Sequence, residues 1–197
     1  AASDVYKRQE FSALLQNAQP DLVHLWGSEN PAAPALVSLC SPERILLSAQ
    51  GIMTPYTEHL LDGVPEKYCR SSPLQKLATV IDRGELLDRE LAFYQEQSKK
   101  EAALLAGLRH VTGRTPWDKA ELAALAPHAA YYVCNETLRP GFFSARWQGG
   151  PQKPVLFLSQ GNQPRKGLHW LLQALPPVLE KYPDLTLHIA GWPMVKK

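Results

Sequence analysis

Short apolar runs alternate along the chain with longer stretches in which leucines recur three and four residues apart, the pattern of strands joined by crossover helices in a parallel sheet. The strand-length runs fall at residues 22–26, 44–48, 110–112, 131–134, 155–158 and 185–189, and most are followed by Gly, Pro or a small polar residue. The longest helical pattern covers residues 84–108, with Leu87, Leu91, Tyr94, Ala102, Leu105 and Leu108 near one face and many charges on the other. A second follows Lys166-Gly167 and carries Leu168, Leu171, Leu172, Leu175 and Leu179. Pro176 and Pro177 lie inside it and predict a kink or break near Ala174, because each removes a backbone donor. Residues 146–154, rich in Gly, Pro and polar side chains, read as a linker between two strand–helix series.

Composition narrows this picture without redrawing it. At 197 residues, 45% hydrophobic and 20% charged, the chain belongs to the ordinary globular class and is long enough for one good core or two small ones. A net charge of +2, from 21 Lys+Arg against 19 Asp+Glu, offers no basic stripe for nucleic acid. Cys40, Cys69 and Cys134 are far apart, with no His at a metal-ligand offset, so reduced thiols and no metal site are expected. No apolar run reaches the roughly 18–20 residues that cross a bilayer, and no secretory leader pattern opens the chain. Residues 1–9 resemble translated adapter sequence and are set apart from the fold.

In open α/β sheets, ligands sit beyond the carboxyl ends of the strands, so the residues just after each strand are the candidates for chemistry. The segment QGNQPRKG at 160–167 joins a strand to a helix start, where free N–H groups, the helix dipole, Arg165 and Lys166 favour an anion. The alternative is two solvated cations opening an ordinary helix. Gln50-Gly51 ends another strand; Gln50 can bind hydroxyls or phosphate but cannot act as a base near neutral pH, and Gly51 alternatively serves the turn's backbone. Arg114 is expected to point into the cleft or to pair with Asp118 or Glu29, and Glu29 to read sugar hydroxyls or to partner Arg114. Thr115 and Pro116 suit a helix cap and first turn. His24, inside an apolar strand, reads as a core histidine, and Asn135-Glu136 as part of an exit loop.

Five phrases carry a resemblance. PDLVHLWGSE at 20–29, RILLSAQG at 44–51, HVTGRTPWDKA at 110–120, YYVCNETLRPGFF at 131–143 and the β-α-β run of 155–191 resemble, in order and spacing, the retaining glycosyltransferases of family four. That resemblance implies an α/β protein of GT-B type with two Rossmann-like parallel-sheet domains, both incomplete here. Residues 10–145 would be the C-terminal part of the acceptor-side domain, 146–154 the linker, and 155–197 the start of the donor-side domain. Lys166 matches the family's diphosphate-binding lysine, whereas Gly161 stands where the family usually has arginine and Gln50 where many members have histidine. Either Arg165 replaces that arginine or phosphate is held more weakly.

The implied activity is transfer of a sugar, with retention of configuration, from a nucleoside diphosphate-sugar co-substrate to a sugar, glycolipid or polysaccharide acceptor. Neither metal nor other cofactor is implied. The implied location is cytoplasmic, with peripheral contact at the inner face of the membrane, and these 197 residues alone are expected to be inactive. A second reading is a non-catalytic sugar- or nucleotide-binding module of the same fold. A further Rossmann enzyme class is weaker, since no G-x-G-x-x-G follows any strand.

Overall fold

The computed structural model describes residues 2–72, 87–146, 149–150, 153–161 and 166–191. The helix α1 (Ala2–Ala18) leads into β1 (Val23–Trp26), the short α2 (Ala33–Val37), a single 3-10 turn at Pro42–Arg44 and β2 (Ile45–Ser48). There follow α3 (Met53–Glu58), α4 (Glu66–Cys69), the long α5 (Leu87–Ala106), β3 (His110–Gly113), α6 (Pro116–Leu125) and β4 (Ala130–Val133). The chain continues through α7 (Pro140–Ser144), β5 (Val155–Leu158), α8 (Leu168–Lys181) and β6 (Thr186–Ile189). All six expected strands are present within a residue or so of their sequence-read bounds. Residues 2–9 form the first turns of α1, and the expected start of the long helix at Gly84 lies outside the described residues.

Two compact units divide the chain: Ala1–Thr57 with Ala92–Thr137, and Glu58–Leu91 with Leu138–Lys197. The first holds a four-stranded sheet of order β1-β2-β3-β4, every pair parallel and in simple register. The second holds β5 and β6, also parallel. Parallel sheets with intervening helices make the fold α/β and Rossmann-like.

Side chains alternate across a strand, and the register therefore sorts the first sheet into two faces. Leu25, Ile45, Leu47 and Val111 share one face and form a single core with Leu104, Leu105 and Leu108 of the α5 end and Leu122 and Ala126 of the α6 end. His24, Trp26, Leu46, Ser48, His110, Thr112 and Tyr132 share the other. A parallel sheet is normally covered on both faces. Here the second face leaves His24 exposed, Trp26 61% exposed and Tyr132 47% exposed. His24 is thus no core histidine: its neighbour Leu25 takes the core side, and parity turns the imidazole outward.

The stripe of α5 matches the sequence reading with two additions, Leu104 and Glu101. Glu101, three, four and seven residues before Leu104, Leu105 and Leu108, falls on the same face and is only 2% exposed. The expected break in α8 does not occur. The helix runs unbroken through Pro176 and Pro177. Leu172, Gln173, Pro176 and Pro177 all lie on its exposed side, so the lost donors and the ring bulk fall toward water. Its inward stripe is Leu168, Leu171, Leu175 and Val178, while Leu172 and Leu179 are exposed.

Candidate functional site

The carboxyl ends of β1, β2, β3 and β4 open on one cleft of about 380 Å³ in the first unit. Its wall and floor include His24, Trp26, Ser48, Gln50 and Thr112, and its rim Arg114, Asn135 and Glu136. Ser48 and Thr112 are buried polar residues at the ends of adjacent strands, paired across the sheet. The Ser48 hydroxyl lies 2.7 Å from His24 Nε2, which gives the imidazole a partner while leaving the ring in the cleft. The edge of His24 meets Trp26, with ring centroids 5.6 Å apart.

Arg114 sits where the sequence reading put it but chooses another partner. Its guanidinium binds the Glu136 carboxylate at 2.6 Å, joining the segments that follow β3 and β4. Asp118 is occupied instead by backbone: its Oδ2 accepts the N–H groups of Arg114 and Thr115, at 2.7 and 2.9 Å. Thr115 Oγ1 in turn accepts from Asp118 N, a reciprocal capping box with Pro116 in the first turn, as Thr115-Pro116 indicated. The approach is close, because a Cβ on Gly113 would lie 2.7 Å from Asp118 Cβ and from the Tyr131 hydroxyl.

Of the sequence-read binding candidates, Gln50 and Arg114 line the cleft, while Glu29 and Gly51 stand outside its lining. Gly51 does not take a positive φ; space explains it better, since a Cβ there would approach the Tyr56 ring at 3.1 Å. Glu29 is exposed beside the turn of Gly27, whose φ is +86°.

The turn after β2 is tied to the turn after β1 through Glu101. One carboxylate oxygen accepts the Ser28 hydroxyl at 2.5 Å, and the other accepts Met53 N–H at 2.6 Å and Thr54 N–H at 3.3 Å. Burial pushes the carboxyl above its ordinary value of 4.5 and outweighs the lowering effect of these three hydrogen bonds; nearby Glu29 adds a smaller upward push. Sequence reasoning missed this residue, although its spacing from Leu104, Leu105 and Leu108 held the signal.

In the second unit, Gly161 follows β5 and is buried, its N–H donating to Ala190 O at 2.9 Å. A Cβ at Gly161 would overlap Ile189 Cγ2, so any side chain there, arginine included, displaces Ile189. Lys166 is exposed, next to Gly167, which begins α8 with φ +76°. Arg165 lies outside the described residues. The 59–63 turn lies against the same end of α8, where His169 Nε2 meets Asp62 O at 3.0 Å.

Among the described residues, no group of three or more His, Cys, Asp or Glu is arranged to hold a metal ion. No described helix is long and apolar enough to cross a membrane.

A parallel α/β sheet with a cleft at its strand ends defines a Rossmann-like protein, the class of fold in which ligands bind beyond the strand ends. Comparison with known proteins adds a local likeness. The chain is 48% identical over 50 residues to the phosphatidyl-myo-inositol mannosyltransferases of Mycobacterium tuberculosis and Mycobacterium bovis. It is 42% identical over 48 residues to the protein of the same name from Propionibacterium freudenreichii. Each match covers 24% of this chain and 13% of the relative. No protein-family model matches the chain, and no solved structure matches it significantly.

Proposed function

We propose that this chain is part of a glycosyltransferase that moves a sugar from a nucleoside diphosphate-sugar to a sugar, glycolipid or polysaccharide acceptor, with retention of configuration and no metal. The observation that supports it best is the local likeness to mannosyltransferases, which act as transferases of a hexose. The strand-end cleft of the first unit suits the acceptor. Hydroxyls, an imidazole, two amides and a paired arginine surround it, and the Trp26 ring offers an apolar wall to the C–H face of a sugar. Lys166, with Arg165 and Gly161, is the proposed diphosphate corner, where a cation balances charge on the departing nucleoside diphosphate.

The test is sugar transfer by the complete gene product from a panel of nucleotide sugars, with and without a chelator. Lys166→Ala should lower kcat/KM by about a hundredfold, the usual scale for removing one charge-stabilising group. Unchanged activity in that variant removes Lys166 from the site, and no turnover with any donor sinks the transferase reading. The buried Gly161 favours one second reading, a binding module that holds nucleotide sugars without turning them over. It predicts saturable nucleotide binding with neither transfer nor hydrolysis.

A further inference from the structure

Glu101 is a charged residue, 2% exposed, on the helix that carries the core leucines of the first unit. Burying a carboxylate is costly unless its oxygens are satisfied. Both are, and they are satisfied by two separate turns: Ser28 from the turn after β1, and the Met53 and Thr54 amides from the start of α3 after β2. Ser28 Oγ also reaches Gly51 O at 3.4 Å, and Ser98 on the same helix donates to Thr54 Oγ1 at 3.2 Å. The second of these turns carries Gln50 into the cleft.

We infer that Glu101 is a positioning residue: by accepting from Ser28 on one strand-end turn and from Met53 and Thr54 on the next, its carboxylate locks the two turns together and sets where Gln50 stands in the cleft. Packing alone does not explain the residue, because a leucine would fill the same stripe without bringing a charge indoors. The placement of Glu101 stands on geometry alone; its consequence for sugar binding rests on the transferase reading above.

The experiment is residue-resolved amide exchange and chemical-shift mapping by NMR on the 197-residue chain, comparing wild type with Glu101→Gln, Glu101→Leu and Ser28→Ala. The Gln variant should retain the lock, its carbonyl accepting the two amides and its NH2 facing the Ser28 oxygen. Glu101→Leu should speed exchange of the Met53 and Thr54 amides by about tenfold or more, the scale of losing a hydrogen bond to a charged acceptor. It should also shift the resonances of both turns, Gln50 included. Ser28→Ala should perturb Met53 and Thr54, residues that Ser28 does not itself contact, by way of the shared carboxylate.

Effects of Ser28→Ala confined to residues 27–29, or a Gln50 resonance indifferent to Glu101→Leu, would overturn the inference. If the Leu variant fails to fold, the Gln and Ser28→Ala pair still decides it. No ligand enters these measurements, so failure of the lock and failure of the transferase reading are separate results.

Discussion

At Glu101 the cost of desolvating a carboxylate and the gain from three donors stand against each other, and burial wins, holding the carboxyl above 4.5. A raised folded-state value means the folded protein binds the proton more tightly than the unfolded chain. Stability from this group is therefore complete below the unfolded value near 4.5 and declines as pH rises through the folded one. Glu101→Gln abolishes that decline, so its stability relative to wild type should improve as pH rises across that window, measured by urea unfolding at a series of pH values. A constant difference between the two proteins would contradict it. At Gly161 the constraint is steric. Gly161→Ala should destabilise by about 1–3 kcal/mol, the usual cost of overpacking, read from the same urea titration. The need for glycine there was invisible in the sequence, where residue 161 stood out only as a missing arginine; the close neighbour, Ile189, is 28 positions along the chain.

Among the elements, α8 best separates local rule from tertiary outcome. Two adjacent prolines predict a break, and the structure keeps the helix whole because the exposed side absorbs both. The missing bonds still carry a cost. Pro176→Ala restores one backbone donor in a helix interior and should stabilise the protein by about 1–3 kcal/mol, seen as a higher Tm and a deeper helical circular-dichroism signal. A lower Tm would show that the ring is required where it stands. In contrast, α6 follows its local signals closely: Thr115, Pro116 and Asp118 mark the helix start in sequence and build it in space. Capping is legible because donor and acceptor lie within one turn of each other.

For the whole molecule, the notable feature is that each parallel sheet has a face that leaves large apolar side chains exposed among the described residues. In the first unit it carries Trp26 and Tyr132, and in the second Val155 and Phe157, the last 69% exposed. Exposed sheet faces and open edges favour association. The isolated 197-residue polypeptide, of 21.9 kDa, should therefore elute as a species larger than a monomer in size exclusion with light scattering at micromolar concentration. Phe157→Lys should shift that distribution toward monomer; an unchanged monomer peak for wild type contradicts the expectation.

The sequence by itself determined the alternation of strands and helices, the positions of all six strands, the cap at Thr115 and the strand ends where Gln50 and Arg114 face a cleft. Each of these rests on periodicity or on neighbours within a few residues. Only the tertiary structure decided that His24 turns away from the core, that Arg114 pairs with Glu136 rather than Asp118 or Glu29, and that Glu101 ties two turns together. Those outcomes depend on which strand lies beside which and in what register, and that choice is made by burying one common set of leucines rather than by any local signal.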